Sequence, residues 1–304
     1  MTTELIQHIL VATDLSDSSK AAAGWAAMFH RRLGSRITLL YANQPYVPID
    51  LNAGPAAYVL QRQPEFRRHL AEQMSEFATE CFADSGTPVD TLIVDAAPAQ
   101  AISDTANTID ADMILMGTHG RNGWRRALHG SVTEQVIRAT DRALMSVPAA
   151  LVTPGGPKIA KILCPVNFTD IGRQALQEAD ALAEAFDSEL LFVHIVDLAD
   201  ELFMANLEEN FAVWVKSGIR RSCRYSQIVA RGDTAEKVLE VAGQVGADLI
   251  VIGAQHKRFS DTTIIGTTTE RVVRFSKQPV WTVASRAEAF TPDFEKELMA
   301  LTAG

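Results

Sequence analysis

The chain has 304 residues, of which 47% are hydrophobic and 21% are charged, and its net charge is −9. This composition is typical of a globular protein, and the length suits two domains. It excludes a disordered or fibrous chain. The acidic balance lacks the basic patch of a nucleic-acid-binding protein. No stretch approaches the roughly 18 consecutive apolar residues of a membrane span. Neither a nucleic acid nor a membrane is therefore expected as a partner.

The cysteines and the N-terminal segment indicate the compartment. Cys81, Cys164 and Cys223 are scattered without the spacing of a metal site. A sparse, odd number of thiols fits a reducing compartment better than a disulfide framework. The N-terminal segment has no basic region ahead of a long apolar run, so no signal peptide is predicted. We therefore expect a cytoplasmic protein without a metal site.

Strands and helices are predicted to alternate through the first half of the chain. Apolar periodicity and breaker residues predict, in chain order, a strand at 8–13, a helix at 17–33 that stops at Gly34, a strand at 37–41, a helix at 64–84, a strand at 91–94, a helix at 99–109, a strand at 113–116, a helix from Ser131 and a strand at 143–147. This alternation predicts a parallel sheet with helices on both faces.

The second half repeats the first. Ile9–Asp14 aligns with Ile162–Asn167 at an offset of 153, and Ala111–Asp112 aligns with Ala247–Asp248 at an offset of 136. The change of offset predicts a deletion of 17 residues in the middle helical region of the second half. A duplication of this length indicates two copies of one domain.

The boundary between the copies is predicted in the turn-rich segment 153–157, which cannot continue a helix or a central strand. The first domain then spans 1–152 and the second spans 158–286. Residues 287–304 form a C-terminal tail for which a helix is predicted.

A glycine-containing loop follows the strand 113–116. It begins Gly117-Thr118-His119-Gly120, and Gly130-Ser131 opens a helix nine residues later. Loops at the carboxyl ends of parallel strands form the ligand crevice of such sheets, and a helix N-terminus there attracts phosphate. The glycines would let the backbone approach a ligand, and Ser131 and Thr133 would supply hydroxyl groups. The alternative is that the glycines only end a strand and cap a helix.

The spacing G-x2-G-x9-G-[ST] resembles the nucleotide-binding signature of the universal stress protein family, and Asp14-Leu15-Ser16 resembles the Asp-x-Ser that this family carries after its first strand. The resemblance is to tandem-domain members and covers 5–147 and 158–284. It implies two tandem Rossmann-like domains of the adenine nucleotide alpha hydrolase-like type. Each would hold a five-stranded parallel sheet of order 3-2-1-4-5, with strands one and four adjacent at the topological switch point.

The resemblance also implies an ATP site in the first domain, with Mg²⁺ as the accompanying cation. It assigns Ala12, Thr13, Asp14 and Ala42 to adenine and ribose. It assigns Gly117 and Gly120, next to Met116, to the ribose and first phosphate, and Gly130, Ser131, Val132 and Thr133 to the phosphate end. Arg121 would offset phosphate charge, which matters in an acidic protein. The alternative is that Arg121 lies in a solvated loop and contacts no ligand.

The second copy departs from this pattern at two positions. Asn167 stands where the first copy has Asp14, and His256 stands where it has Gly120. A β-carbon at 256 would crowd a ligand, or would be strained if the backbone needs a positive φ. Asn167 keeps an acceptor but loses the charge. The second domain is therefore expected to bind nucleotide weakly or not at all, through Asn167, Gly253, His256, Gly266, Thr267 and Thr268. The alternative is that the two substitutions are sequence drift in a domain that is retained for its packing role.

No P-loop, kinase signature or nucleophile elbow is present, and no acid/base pair is spaced for turnover. The residues and the resemblance together predict an ATP-binding regulator of the stress response with no catalytic residue. Two alternatives stay open: a slow ATP hydrolase or phosphotransfer protein, and a nucleotide-free scaffold. The resemblance also implies a pseudo-dimer within the chain, because single-domain members of the family commonly dimerise through their fifth strands, which correspond here to 143–147 and 279–283. Homodimerisation of two chains stays open as well.

Overall fold

The computed structural model describes residues 6–44, 64–83, 86–118, 132–149, 156–196, 201–221, 224–254, 256–259 and 262–284. Strands and helices alternate in the first half, as predicted. Its elements are β1 (His8–Thr13), α1 (Asp17–Leu33), β2 (Arg36–Ala42), α2 (Pro64–Phe82), β3 (Val89–Val94), α3 (Pro98–Thr108), β4 (Met113–Thr118), α4 (Val132–Ala139) and β5 (Ala143–Pro148).

The second half repeats this order and adds a hairpin. Its elements are β6 (Lys161–Pro165), α5 (Asp170–Phe186), β7 (Glu189–Val196), α6 (Glu201–Gly218), β8 (Arg224–Arg231), α7 (Thr234–Val245), β9 (Leu249–Ala254), β10 (His256–Phe259), β11 (Thr262–Ile265), α8 (Thr267–Phe275) and β12 (Val280–Ala284). The antiparallel pair β10–β11 was not predicted from the sequence.

The described strands other than this hairpin form one ten-stranded sheet, in the order β3-β2-β1-β4-β5-β12-β9-β6-β7-β8. Neighbouring strands are parallel within each half, and β5 and β12 are antiparallel. The predicted α/β class is confirmed. Each half contains the expected five parallel strands in the order 3-2-1-4-5, as β3-β2-β1-β4-β5 and as β8-β7-β6-β9-β12. The antiparallel contact between β5 and β12 joins the two sets into one mixed sheet.

The junction between β5 and β12 is built from matching residues of the two copies. Met145 lies opposite Trp281, which is its own counterpart at the offset of 136. On either side, the hydroxyl of Ser146 donates to the carbonyl of Val280 at 3.4 Å, and the hydroxyl of Thr282 donates to the carbonyl of Leu144 at 3.1 Å. These two hydrogen bonds exchange places when the copies are exchanged. The junction therefore has an approximate twofold axis that passes between Met145 and Trp281.

Helices cover both faces of the sheet. α1, α2, α5 and α6 pack on one face, and α3, α4, α7 and α8 pack on the other. Each face has an apolar cluster with side chains from both halves. On the first face the ring of Phe29 packs edge-on against Phe186, with centroids 5.4 Å apart, and lies 6.1 Å from the ring of Trp281. The two halves therefore share their cores.

The same side chains anchor the strand starts in both halves. The Asp112 carboxylate accepts two backbone N–H groups at the start of β1, at 2.7 and 2.9 Å, and Asp248 accepts two at the start of β6, at 2.8 and 2.9 Å. The Ser35 hydroxyl donates to a backbone carbonyl ahead of β1, and the Ser188 hydroxyl does so ahead of β6. These four residues are matched by the repeat, so the duplication preserved the contacts that build the fold.

Helix ends follow the local sequence. The Ser16 side chain caps the N-terminus of α1, and Gly34 ends it with a φ of 77°. Thr169 caps α5, and Asp187 ends it in the same left-handed region with a φ of 54°. Glycine adopts that conformation without strain, whereas an aspartate there is uncommon.

The 17-residue deletion lies ahead of α6. Residues 43–63 separate β2 from α2, whereas only 197–200 separate β7 from α6, and the two helices have 19 and 18 residues. The deletion expected in the helical region therefore shortens the connection instead. The predicted tail helix at 287–304, and Cys223, lie outside the described residues. In the part of the chain that is described, no helix is long and apolar enough to cross a membrane.

The shared cores predict that Trp281 stabilises both halves together. Trp281 is 4% exposed, and its indole N–H donates to Glu178 at 2.8 Å. We expect Trp281→Ala to lower the free energy of unfolding by about 3–5 kcal/mol, since it opens a cavity at the junction. Chemical denaturation followed by circular dichroism measures the change. Val213→Ala is the control, because Val213 is 65% exposed. A loss confined to one of two separate transitions would contradict the shared core.

Candidate functional site

The carboxyl ends of β1 and β4 lie side by side at one edge of the sheet. The two strands are parallel neighbours, with Ala12 in register with Met116. β2 lies on the far side of β1 and β5 lies on the far side of β4, so the strand order reverses at this point. Open α/β sheets bind ligands at such a switch point. The structure brings Asp14 and Gly117, which the sequence places 103 residues apart, to the same end of two adjacent strands.

Asp14 organises the turn that leads from β1 into α1. Its Oδ1 atom accepts hydrogen bonds from the backbone N–H of Ser16 at 3.1 Å and from the Ser19 hydroxyl at 2.7 Å, and it also accepts the Ser16 hydroxyl. Leu15, which lies between Asp14 and Ser16, has a φ of 63°, which non-glycine residues seldom adopt. Backbone strain of this kind is concentrated at binding and active sites. The turn therefore holds the Asp14 carboxylate in one orientation beside the switch point.

Gly117 is a glycine because of a contact within the chain. A β-carbon at this position would lie 2.6 Å from the carbonyl oxygen of Ser18, in the first turn of α1. Gly253 in the second half meets the same constraint, since a β-carbon there would lie 2.7 Å from Cγ1 of Ile171. The packing of the first helix on the fourth strand thus explains both glycines without a ligand. The space for a ligand that the sequence alone attributes to Gly117 is taken up here by the protein.

The described part of the phosphate end is the start of α4. Val132 is 37% exposed at the first position of the helix, and Thr133 is buried. The matching Thr269 of the second half donates its hydroxyl to the carbonyl of Gly253 at 2.9 Å, which ties α8 to the end of β9. The other predicted residues of this end, Gly120, Arg121, Gly130 and Ser131, lie outside the described residues.

A polar network beside Ala42 was not found by sequence reasoning. Asn43, directly after Ala42, donates its side-chain amide to Asp95 at 2.7 Å, and Arg67 forms an ion pair with the same carboxylate. Asn43 and Asp95 follow β2 and β3, so they lie at the same edge of the sheet as Asp14. Their position directly after two predicted strands was the available signal. The network holds the backbone at the end of β2, where the family resemblance places the adenine edge.

The second half keeps the frame of the site but changes its polar groups. Asn167 is exposed, and its side-chain oxygen accepts the Thr169 hydroxyl at 2.6 Å. Gly266 precedes α8 without a side-chain cap, and Thr267 and Thr268 form the first turn of that helix. His256 begins β10 and pairs with Ile265. An extended strand needs no positive φ, so the backbone strain considered for His256 does not arise.

An aromatic cluster lies behind the switch point of the second half. The ring of Phe168, next to Asn167, packs edge-on against His194 and Trp214, with centroids 4.8 and 5.6 Å apart. His194 hydrogen-bonds the carbonyl of Val166 at 2.9 Å. Burial lowers the pKa of His194 below its ordinary value of 6.5, and the hydrogen bond to Val166 opposes this shift only in part. The histidine is therefore a neutral packing residue at physiological pH.

No group of three or more histidine, cysteine, aspartate or glutamate side chains within the described ranges is arranged to hold a metal ion.

The packing explanation of the two glycines predicts a loss of stability that needs no ligand. We expect Gly117→Ala and Gly253→Ala each to lower the free energy of unfolding by about 1–3 kcal/mol, because the added methyl group overpacks the strand against the helix. Gly243→Ala is the matched control. A β-carbon there meets no atom within 4 Å, and alanine favours the helix α7. Thermal denaturation without nucleotide measures all three, and unchanged melting of Gly117→Ala would refute the packing role.

The buried histidine predicts that the protein is less stable at acid pH. His194 takes up a proton in the unfolded chain near pH 6.5 but only at lower pH in the folded chain. Its contribution is therefore complete above pH 6.5 and is lost as the pH falls below it, with a slope of at most about 1.4 kcal/mol per pH unit. We expect His194→Phe to show a shallower fall in the free energy of unfolding between about pH 7 and 5 than the parent. Equal slopes in denaturant titrations would contradict this assignment.

Comparison with known proteins agrees with this architecture. The model of the universal stress protein family matches residues 5–148 and 221–284. A universal stress protein of Mycolicibacterium smegmatis is 28% identical over 304 aligned positions, which cover 91% of this chain and 97% of that protein. A universal stress protein of Mycobacterium tuberculosis is 23% identical and covers 90% of this chain and 94% of its own length.

Among solved structures, a universal stress protein from Archaeoglobus fulgidus superposes with a TM-score of 0.71 at 19% identity, covering 92% of this chain and 98% of its own. At this identity the similarity shows a shared fold. The second matched region of the family model begins only at 221, so β6 through α6 lie outside it. With one matched region in each half and more than half of its residues matched, this chain belongs to the universal stress protein family.

Proposed function

We propose that the chain is an adenine-nucleotide-binding regulator of the stress response that binds ATP in its first domain, 1–152. The observation that carries the proposal is the switch point between the carboxyl ends of β1 and β4, with the Asp14 carboxylate held in one orientation beside it. A carboxylate that is already fixed by hydroxyl and amide donors is a preorganised acceptor for the hydroxyl groups of a ribose.

The proposed ligand would extend from the end of β2 toward the start of α4. Ala42 and the Asn43 network would adjoin the base, and Ala12 and Thr13 would adjoin the ribose together with Asp14. The start of α4 lies at the other end, where the positive end of the helix dipole favours phosphate. Mg²⁺ would accompany ATP. It is commonly held by substrate phosphates, water and at most one or two carboxylates, so it needs no preformed three-residue cluster.

The second domain, 158–286, is proposed to bind ATP weakly or not at all. Asn167 lacks the charge of Asp14, and it stands at the exposed end of β6. The shared cores and the β5–β12 pairing support a pseudo-dimer of the two domains within one chain. Ligand binding in one domain would then bias the packing of both, as a regulator requires.

We also propose a cytoplasmic location. Cys81 and Cys164 are free thiols, and burial raises the pKa of Cys81 to about 11. Burial raises the pKa of Cys164 further still. Free, protonated thiols suit a reducing compartment.

Titration calorimetry tests the nucleotide site. We expect about one tight ATP site per chain, and we expect Asp14→Asn to weaken it by about tenfold or more, because a charged hydrogen bond to ribose is lost. Asp17→Asn is the matched control, since Asp17 is an exposed carboxylate in the first turn of α1. Gly117 variants are unsuitable, because they disturb packing.

The converse variant tests the inequality of the domains. Asn167→Asp combined with His256→Gly should strengthen ATP binding in the second domain. Two equally tight sites in the parent, or none in a correctly folded parent, would refute the proposed function.

A further inference from the structure

Three charged side chains form a network beside the phosphate end of the second half. Nη1 of Arg271 donates to the Asp233 carboxylate at 2.8 Å, and Nη2 donates to Glu236 at 3.2 Å. Asp233 follows β8 and caps α7, so it lies at the carboxyl edge of the sheet. Arg271 lies four residues after Thr267 on α8, which is about 6 Å along the helix axis. The network therefore borders the helix end that would meet a phosphate.

The first half has no such charges at the matching positions. At the offset of 136, Asp233, Glu236 and Arg271 correspond to Ala97, Gln100 and Gln135. The structure supports this alignment, because Ala97 stands at the N-cap of α3 as Asp233 stands at the N-cap of α7. The two halves thus differ in charge at this place in a shared frame.

Apart from the cap that Asp233 provides for α7, the ion pairs of the network contribute little to the stability of the fold. The side chains of Asp233, Glu236 and Arg271 are 46%, 76% and 40% exposed, and exposed ion pairs contribute little to stability. The hydrogen bond from Arg271 lowers the pKa of Asp233, so this carboxylate stays ionised at physiological pH. Both terminal nitrogens of Arg271 donate to these carboxylates, which leaves the network with one negative charge in excess.

We propose that Asp233, Glu236 and Arg271 make the second half select against polyphosphates, so that it takes uncharged or weakly charged ligands of the nucleoside class. The inference rests on the proposed nucleotide-binding function and extends it to the selectivity of the second half. Arg271, which both carboxylates contact, lies about 6 Å along the helix axis from Thr267, and this is less than one Debye length, roughly 8 Å at physiological salt. The excess negative charge around Arg271 repels a triphosphate at the start of α8 and leaves a nucleoside unaffected. The two carboxylates also occupy the guanidinium of Arg271, which would otherwise attract phosphate.

Two sets of variants of the full chain test the proposal. Asp233→Ser with Glu236→Gln removes both charges, and serine still caps the helix α7. The reciprocal set introduces Ala97→Asp, Gln100→Glu and Gln135→Arg into the first half. Glu240→Gln is the matched control, because Glu240 is an exposed carboxylate of the same helix that pairs with Lys237. Calorimetry with ATP and with adenosine, at low and at 1 M salt, gives the affinity of each site.

The charge-removing pair should tighten ATP binding in the second half by about tenfold at low salt and leave adenosine unchanged, with the difference lost at 1 M salt. The reciprocal set should weaken ATP binding in the first half by a similar factor. Glu240→Gln should change neither site. If the parent binds ATP in its first half and both sets leave ATP affinities unchanged, the selectivity role is refuted while the proposed function stands. An equal gain for adenosine and ATP would also refute it. A parent that binds no ATP would refute the proposed function itself.

Discussion

The antiparallel contact between β5 and β12 determines the rest of the architecture. Each half alone is a parallel sheet whose fifth strand would be an open edge, and open edges promote aggregation. The contact pairs these two fifth strands with each other, and the strands of the two halves run in opposite directions. As a consequence, the strands of the first half have their carboxyl ends on one side of the joined sheet, and the strands of the second half have theirs on the opposite side. The two candidate sites are therefore remote from each other although the halves share their cores.

The two halves share the contacts on which the fold depends and differ at the carboxyl ends of their strands. Asp112 and Asp248 anchor the strand starts alike, and Gly117 and Gly253 admit the first helix alike. At the carboxyl edges the halves differ: the second has Val196 and Arg231 where the first has Asn43 and Asp95. Packing constrains both copies equally, because either would unfold without it. Ligand contacts constrain only the copy that uses them, and this difference supports unequal roles for the two halves.

Local sequence signals predicted most of the elements. The helix α1 was predicted with its observed bounds, because a polar cap and Gly34 mark its ends, and the fourth strand was predicted from its apolar run. The hairpin β10–β11 was not predicted, since its few residues carry no strong periodicity. The deletion was predicted in length but not in place. Offsets in an alignment show how many residues are missing, and only the element bounds show where.

The site was predictable where it depends on strand order and unpredictable where it depends on distant side chains. Asp14 and Gly117 come together because the strand order requires it. The packing role of Gly117 was missed, because Ser18, whose backbone leaves no room for a β-carbon at position 117, is remote in sequence. The network around Asn43 was missed for the same reason, since Asp95, which accepts from Asn43, and Arg67, which pairs with Asp95, come from other parts of the chain.

The residues on the approximate twofold axis show what fusion of the two copies permits. In a symmetric homodimer, a residue on the axis must face an identical residue, so a large side chain there would meet its own copy. In this chain Met145 faces Trp281 instead, and the indole N–H of Trp281 reaches Glu178, whose counterpart in the first half is Trp25. A flexible side chain opposite a bulky one is a combination that no pair of identical subunits can make at such a point. Covalent linkage thus removes the requirement for self-complementarity, and each face of the junction is free to evolve separately.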